Sequence, residues 1–305
     1  VEAYTALAAE ASRRGLPIAG HLPVRVPLTT VLAAGQHSVE HPRIFLFECF
    51  GDAAGFRALP DPMAAYTTEM RARFIDEHDR VRCAELMAAM AASDTWWTPT
   101  LQVLRMSAHA DDREFRDDPR LRYVPWVFRE GLWKWDADTA AAHSRLASGR
   151  PVDVELYRLA MNNVREAHAA GVRIVAGTDS GDTYVFPGFA IHDELFELVR
   201  AGLSPLDALR SATIDAARFS GEDWDYGSIE VGKVADMLLL EADPLVDIRS
   251  TGRIAGLFFD GQYFDRAALD ELLAFAEDQA GSLRTNLQLL WCALRSPVVW
   301  AQAAD

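Results

Sequence analysis

Three apolar stretches of this chain each end in a side chain that can bind a metal or move a proton. Gly20-His21 follows the first stretch, Glu40-His41 the second, and Gly177-Thr178-Asp179 the third. Short apolar runs bounded by turn residues are typical of buried strands. Because residues that follow parallel strands meet at one edge of a sheet, we expect these two imidazoles and this carboxylate to lie close together.

Helical and extended patterns alternate around these stretches. The predicted order up to the second strand is helix Glu2–Arg14, strand Leu16–Gly20, helix Leu28–Ala34 and strand His37–Glu40. Further along we expect helix over Pro60–Ala92, strand over Thr95–Leu101, helix over Val152–Ala170, strand over Val172–Gly177, and helices over Ile191–Ala201 and Pro205–Phe219. This alternation is typical of a parallel α/β domain. Polar residues at the strand ends favour a (β/α)8 barrel, of which four strands make half.

The pattern changes after Gly221. A turn pattern at Gly227–Lys233, an apolar strand over Ala235–Leu240 and a hairpin over Ile254–Phe264 predict a small β unit. Helix is expected from Arg266 to the end. We therefore divide the chain into residues 1–220, with a helical insertion at about 105–150 over the rim, and residues 221–305.

The charge and the hydropathy pattern exclude two classes of partner. The formal net charge of −15 argues against nucleic acid, because phosphate binding requires a basic surface. No apolar run is long enough to span a membrane, since the stretch Leu287–Ala303 is interrupted by Arg295 and Pro297. A small-molecule substrate therefore fits the composition better than a nucleic acid or a lipid bilayer.

The cysteines and the first residue bear on the redox state and the completeness of the chain. Cys49, Cys83 and Cys292 are widely spaced and odd in number, so we interpret them as ordinary thiols and not as a disulfide framework. The chain opens on Val1, inside a helical pattern, which predicts that it is a piece of a longer polypeptide. The sequence does not decide the cellular compartment of the protein, and the cytoplasm is preferred.

His21 and His41 are candidate metal ligands. Imidazole is the commonest protein ligand for a divalent metal at neutral pH. At the ends of consecutive parallel strands the two rings would be neighbours, close enough to share an ion. A pair of histidines that only hydrogen-bond at the rim explains the same spacing, and this alternative stays open.

Asp179 is a candidate acid and base. It stands in the segment Val175–Gly181, between glycines at which the backbone can turn sharply. A carboxylate there can accept a proton from a metal-bound water and return it to the leaving group. The alternative is an aspartate that caps the following loop. Together with the two histidines, Asp179 favours metal-assisted hydrolysis.

The order of several sequence blocks resembles the C-terminal part of the metal-dependent amidohydrolase superfamily, in the branch of imidazolonepropionase-like and Xaa-Pro dipeptidase-like proteins. The matching blocks cover about residues 1–270 and are Gly20-His21, Ser38–His41, Thr98–Leu101, Gly177–Gly181, His192–Leu195, Ala201–Leu209, Ala212–Ala217, Gly227–Asp236 and Asp243–Leu245. The resemblance implies an α/β fold, namely the second half (strands 5–8) of a TIM-type barrel and the C-terminal part of a small flanking β domain. A TIM-barrel enzyme without metal fits the Gly227–Asp236 block poorly.

The resemblance also implies roles for single residues. His21 matches the metal ligand on barrel strand 5, His41 the ligand on strand 6, and Asp179 the strand-8 aspartate that contacts the metal and shuttles the proton. The expected cofactor is a divalent metal, zinc above all, with one or two ions in the complete enzyme. The superfamily's His-x-His pair is absent from this sequence, and neither Lys134 nor Lys233 lies where a bridging lysine would.

Several other side chains are weaker candidates. His192 begins the helix after Asp179 and either contacts substrate or serves as a polar helix start. The histidines without partners at ligand spacing are interpreted as surface residues: His78, His109, His143 and His168. The aromatic residues of the insertion are expected to pack over the rim, with a substrate-facing lid as the alternative: Trp126, Phe128, Trp133 and Trp135. A C-terminal apolar stripe is expected to pack on the body, with a dimer contact as the alternative: Leu287, Leu290, Trp291, Leu294 and Val298.

These observations predict a hydrolase that acts on the C–N bond of an amide, a cyclic amide or a dipeptide through a metal-bound hydroxide. The substrate is expected to be a small amide or peptide, and a homo-oligomer is left open. The chain is expected to be truncated and to lack the His-x-His strand. The alternative is an inactive remnant that serves as a binding or assembly module.

Overall fold

Three parallel strands, surrounded by helices, form the centre of the fold. The structure is a computed structural model and describes residues 1–296. The helices are α1 (Glu2–Arg13), α2 (Leu28–Ala33), α3 (Arg43–Glu48), α4 (Ala53–Ala58), α5 (Thr68–Asp76), α6 (Arg80–Ala91), α7 (Leu101–His109), α8 (Arg113–Arg116), α9 (Lys134–His143), α10 (Val152–Ala169), α11 (Ala190–Ala201), α12 (Pro205–Ser211), α13 (Ile214–Ser220), α14 (Arg266–Gly281) and α15 (Leu283–Arg295). The strands are β1 (Ala19–His21), β2 (Ser38–Glu40), β3 (Trp96–Thr98), β4 (Met237–Leu240), β5 (Ile254–Phe259) and β6 (Gln262–Asp265). Two 3-10 helices, Pro119–Tyr123 and Ile248–Gly252, and the π-helix Phe128–Trp133 lie in the connections.

The parallel sheet has the strand order β1-β2-β3. His21 lies opposite Glu40, and Glu40 lies opposite Thr98, so the three strands end at the same edge. In the described part of the chain β1 pairs only with β2 and forms the outer strand of this sheet. The register therefore places the residues that follow all three strands side by side.

Three of the predicted strands differ from the structure in their extent. The strand expected over Thr95–Leu101 ends at Thr98, because Pro99 has no N–H to donate and Thr100 adopts a left-handed conformation that turns the chain into α7. The strand expected over Val172–Gly177 runs beside β3 but makes a single bridge, between Ile174 and Trp97. The first predicted strand is also shorter, since β1 begins at Ala19.

Three predicted helices are interrupted, and the one expected from Arg266 onward divides into α14 and α15 at Ser282. The region Pro60–Ala92 becomes helical only from Thr68 onward and divides into α5 and α6, because Asp79 starts a new helix by accepting the N–H groups of its first turn. The region Pro205–Phe219 divides into α12 and α13, and the break lies at Ala212 and Thr213.

The main hydrophobic core lies between the parallel sheet and the helices that follow its strands. Trp97 of β3 is fully buried and meets Phe45 of α3 edge to face, with ring centroids 4.8 Å apart. Leu198 of α11 and Val164 of α10 are also fully buried in this core. Sheet and helices therefore form one continuous core that fixes the strand ends.

A second, smaller core joins the insertion to the loop after Asp179. Trp133 stacks on Tyr184 with ring centroids 5.6 Å apart and contacts Phe186 edge to face. Phe128 packs on the same cluster as expected, whereas Trp126 and Trp135 are exposed. The insertion thus covers residues 184–186 through one buried tryptophan.

The small antiparallel sheet has the order β4-β5-β6. The predicted hairpin is present, and its two turn residues, Asp260 and Gly261, both have positive φ angles, as a two-residue turn between twisted strands requires. Helix α14 packs on β5, β6 and the 3-10 helix Pro119–Tyr123. No helix in residues 1–296 combines the length and the apolar character needed to cross a membrane.

The prediction that the C-terminal stripe packs on the body is wrong for its described members. Their side chains are exposed on α15: Leu287, Leu290, Trp291 and Leu294. Val298, the last residue of the stripe, lies outside the described residues. Helix α15 is instead held through the buried Asn286, which accepts the N–H of Val127 and donates to the carbonyl of Ala280.

The interpretation of the cysteines as ordinary thiols is wrong for two of the three. Cys49, just after α3, and Cys83, in α6, form a disulfide across 34 residues. Cys292 is free and exposed. His78, expected at the surface, is half-buried beside the disulfide. The fold brings these residues together through helix packing, which spacing along the chain does not reveal.

Candidate active site

The ends of β1 and β2 bring His21 and His41 together. Their Nε2 atoms lie 2.7 Å apart and their ring centroids 4.5 Å apart. His21 is exposed, whereas His41 is 9% exposed. Two ring nitrogens that face each other at this distance form a pair of potential ligands on the carboxyl edge of the sheet.

The position of His41 is fixed by three contacts with β3 and the residues after it. Its N–H donates to the carbonyl of Thr98 (2.8 Å), its carbonyl accepts the indole N–H of Trp97 (3.0 Å), and its Nδ1 lies 2.8 Å from Oγ1 of Thr100. His41 has a φ of 70°, a left-handed conformation that costs a residue with a side chain about 1–3 kcal/mol. These contacts hold the strained residue and direct Nε2 toward His21.

The protonation state of His41 favours a ligand role. Burial, and to a smaller extent the charges of Arg43 and His21, lower its pKa to about 4 against the opposing effect of the Asp179 carboxylate. The ring is therefore neutral at pH 7. In the tautomer that donates from Nδ1 to Thr100, the lone pair of Nε2 is available to a metal or to the N–H of His21.

Asp179 lies beside this pair. Its Oδ2 is 3.8 Å from Nε2 of His41, which is too long for a hydrogen bond, and its side chain is about half exposed. Like His41, Asp179 has a positive φ, 55°. Its backbone carbonyl accepts the N–H of Asp182, and its carboxylate accepts no backbone N–H from the described residues. The capping role considered from the sequence is therefore not what the carboxylate does.

The three side chains offer part of a metal-binding set. Two imidazole nitrogens and a carboxylate oxygen are donors that zinc accepts, and zinc takes four ligands. Nε2 of His41 lies 2.7 Å from Nε2 of His21 and 3.8 Å from Oδ2 of Asp179. The donor chemistry fits a divalent metal, and the set is incomplete.

Two residues of this region carry functions that the sequence analysis did not assign. Thr100 orients the His41 ring. Glu194 of α11 accepts the backbone N–H groups of Leu101 (2.9 Å) and Gln102 (3.2 Å), which caps α7. Burial raises the pKa of Glu194 to about 8 against the opposing effect of these two hydrogen bonds. Both residues lie in blocks that carried the resemblance, but only the fold pairs them with their partners.

His192 lies away from the His21–His41 pair. It lines a cavity of about 760 Å³ between α11, the insertion and α14, and His21, His41 and Asp179 are not part of that lining. Its Nδ1 is buried without a hydrogen-bond partner among the described residues. Its predicted contact with substrate stays a prediction.

Comparisons with known proteins agree on one family. The sequence model of the amidohydrolase family matches residues 1–264. No curated protein matches the chain. Among solved structures, a Xaa-Pro dipeptidase with bound methionine in its active site is 20% identical to this chain, with a TM-score of 0.53. The match covers 86% of this chain and 48% of the dipeptidase chain. A bottromycin amidohydrolase is 26% identical to this chain, with a TM-score of 0.62. The match covers 92% of this chain and 57% of the bottromycin amidohydrolase chain.

A third similar structure, assigned as a prolidase of Bifidobacterium longum, is 25% identical with a TM-score of 0.50 and covers 89% of this chain. The chain spans about half the length of these structures: 48%, 57% and 54%. Their folds therefore extend well beyond the part that matches the chain.

Proposed function

The chain belongs to the amidohydrolase family, and from this premise we propose that it carries part of the active site of a metal-dependent hydrolase for C–N bonds. The proposed metal ligands are His21 and His41, and the proposed acid and base is Asp179. The substrate class is a small amide, cyclic amide or dipeptide. A dipeptide is consistent with the activity of one similar structure, a Xaa-Pro dipeptidase.

One observation carries the proposal. Side chains from three separate segments converge at one edge of the sheet, with Nε2 of His21 2.7 Å and Oδ2 of Asp179 3.8 Å from Nε2 of His41. Two of the three residues, His41 and Asp179, adopt strained left-handed conformations. Strain of this kind persists where the surrounding structure holds it, and it concentrates at functional sites.

A divalent cation held by His21 and His41, such as Zn²⁺, would polarise a substrate carbonyl and lower the pKa of a water molecule. The neutral His41 ring, oriented by Thr100, offers Nε2 as a ligand without first losing a proton. His21, on the exposed side of the pair, leaves the site open to a ligand from solvent.

Asp179 would carry the proton. Its half-exposed carboxylate can accept a proton from the attacking water and donate it to the amide nitrogen as the C–N bond breaks. A short distance between the acid and the reacting atoms is required in both steps. The position of Asp179 beside His41, on a loop that turns sharply at a positive φ, supports this role.

The proposed architecture is strands 5–8 of a TIM-type barrel in residues 1–220, with the helical insertion at about 105–150, followed by the C-terminal part of a small β domain in residues 221–305. The coverage of about half of each similar structure supports this division. Within residues 1–296 the outer edge of β1 is unpaired, which supports it as well, because a closed barrel has no strand edge. The same edge favours the alternative, an inactive remnant that serves as an assembly module.

Hydrolysis assays separate these two functions. The purified chain is incubated with Zn²⁺ and with Xaa-Pro dipeptides, N-acyl amino acids and a cyclic amide, beside Asp179→Asn and the matched control Asp182→Asn. We expect metal-dependent cleavage of one class, which is lost in Asp179→Asn and kept in Asp182→Asn. A metal-loaded chain that cleaves none of the substrates supports the remnant instead.

A further inference from the structure

A second group of metal-binding side chains lies outside the candidate active site. The Sγ atoms of Cys49 and Cys83 and a ring nitrogen of His78 all lie within 4.8 Å of one another. In the structure the two sulfurs are bonded to each other. Thiolate and imidazole are the ligands of structural zinc sites, and none of these three residues belongs to the His21–His41–Asp179 group.

Backbone hydrogen bonds hold His78 beside Cys49 without help from the disulfide. Phe50 and His78 form an antiparallel bridge. On one side of it the N–H of Gly51 donates to the carbonyl of Glu77 (2.9 Å), and on the other side the N–H of Asp79 donates to the carbonyl of Cys49 (2.8 Å). This short ladder would keep the histidine and the first cysteine adjacent after the S–S bond is broken.

The second cysteine is held by the start of α6. The Asp79 carboxylate accepts the N–H groups of Val81 and Arg82 (3.0 Å each), and the N–H of Cys83 donates to the carbonyl of Asp79. Cys83 therefore lies in the first turn of a 12-residue helix, directly after the Asp79 cap. All three ligands are thus fixed by the backbone around them.

The side chain of His78 has a buried nitrogen that has no partner within residues 1–296 and that a bound cation would satisfy. Its Nδ1 is buried and has no hydrogen-bond partner among the described residues. Burial lowers the pKa of the ring. An unpaired buried nitrogen is unfavourable, and a cation bound to it would remove this cost.

We propose that Cys49, Cys83 and His78 form a zinc site when the disulfide is reduced. A dithiol reductant gives up two electrons and two protons and becomes a cyclic disulfide, while the Cys49–Cys83 bond breaks and two thiols form. Each thiol then releases its proton to water as Zn²⁺ binds. Two thiolates, one neutral imidazole and Zn²⁺ sum to zero charge, so no net charge is left buried at the site.

The distances allow this exchange. Tetrahedral zinc has Zn–S bonds of about 2.3 Å and Zn–N bonds of about 2.0 Å, which places two sulfur ligands about 3.8 Å apart. The two sulfurs, which are bonded to each other in the structure, would separate to this distance when zinc binds. Water would fill the fourth position.

Cobalt(II) tests the proposal, because a thiolate bound to Co²⁺ gives an intense charge-transfer band in the near ultraviolet that histidine and carboxylate ligands do not give. All variants carry Cys292→Ser, so that Cys49 and Cys83 are the remaining thiols. The protein is measured oxidised and after reduction with a dithiol that is then removed without air. His78→Gln and Cys83→Ser are compared with the Cys292→Ser background, and circular dichroism verifies the fold of each.

We expect the band in the reduced background protein, saturating at one Co²⁺ per chain and displaced by Zn²⁺. It should be absent from the oxidised protein and from Cys83→Ser, and the Co²⁺ affinity should fall at least tenfold in His78→Gln. A folded, reduced protein without the band would overturn the proposal and leave a disulfide with a structural role only. The same conclusion follows from a His78→Gln affinity equal to that of the background, or from unfolding on reduction that Co²⁺ does not reverse.

Discussion

The Glu194 carboxylate caps the helix that begins at Leu101, although the two residues lie 93 positions apart in the sequence. Thr100 precedes this helix in a left-handed conformation and gives no side-chain cap of its own. The cap therefore ties the loop that orients His41 to the helix that follows Asp179. This buried carboxyl group, together with the bridge between Ile174 and Trp97, links the two sides of the candidate site.

The free energy of unfolding should carry a pH dependence that originates at Glu194. Its pKa of about 8 in the folded protein exceeds its ordinary value of 4.5, so between these values the folded chain holds a proton that the unfolded chain has released. The stabilisation is complete below pH 4.5 and is lost as the pH rises through 8. The slope from this group is at most about 1.4 kcal/mol per pH unit.

The variant Glu194→Gln isolates this contribution, because glutamine cannot ionise and keeps one acceptor for the α7 N-terminus. Urea unfolding at pH 5, 6, 7 and 8 should show that the wild-type advantage over Glu194→Gln shrinks as the pH rises. An advantage that stays constant, or grows with pH, contradicts the assignment of the raised pKa to this residue.

The substitution Thr100→Val should weaken metal binding at the candidate site. Valine keeps the β-branched shape but offers no oxygen to Nδ1 of His41, which lies 2.8 Å from the Thr100 hydroxyl. Loss of such an outer hydrogen bond typically lowers metal affinity about 10–100-fold. A competition titration with a chelating dye measures the affinity, and Thr100→Ser, which keeps the hydroxyl, is the control. Equal affinities of the valine and serine variants would show that Thr100 does not act through His41.

The close approach of residues 176–178 to β3 should make Gly177 intolerant of a side chain. A Cβ at this position would lie 2.4 Å from Cγ2 of Thr98. Overpacking of this kind costs about 1–3 kcal/mol, so Gly177→Ala should lower the urea midpoint. Thr98→Ser removes the clashing methyl group, and the double variant should recover much of the loss. Strictly additive effects of the two substitutions would place the cost elsewhere.

The parallel arrangement of the first strands could be predicted from the sequence because it depends on local signals. His21, His41 and Asp179 each follow a short apolar run, and strand ends in a parallel sheet share one edge. The hairpin at Asp260-Gly261 was predictable for the same reason, since its turn residues must tolerate positive φ angles.

The features that sequence reasoning missed all depend on contacts between distant residues. The Cys49–Cys83 disulfide needs α6 to pack against the end of α3, and the Glu194 cap needs α11 to pack against α7. The exposure of Trp291 on α15 reverses the expectation from its amphipathic pattern, because an apolar stripe predicts a covered face without identifying what covers it. Periodicity describes one element, whereas these features belong to pairs of elements.

The central claim is that His21 and His41 hold a divalent metal, and elemental analysis of the purified 305-residue chain tests it most directly. The chain is reconstituted with Zn²⁺ under non-reducing conditions, which keep Cys49 and Cys83 oxidised, and is compared with His21→Ala/His41→Ala and with the control His143→Ala/His168→Ala. We predict near-stoichiometric zinc in the wild type and the control, and loss of zinc in the His21/His41 variant. Equal zinc contents in all three proteins, or a folded wild type that holds no zinc, would contradict the claim.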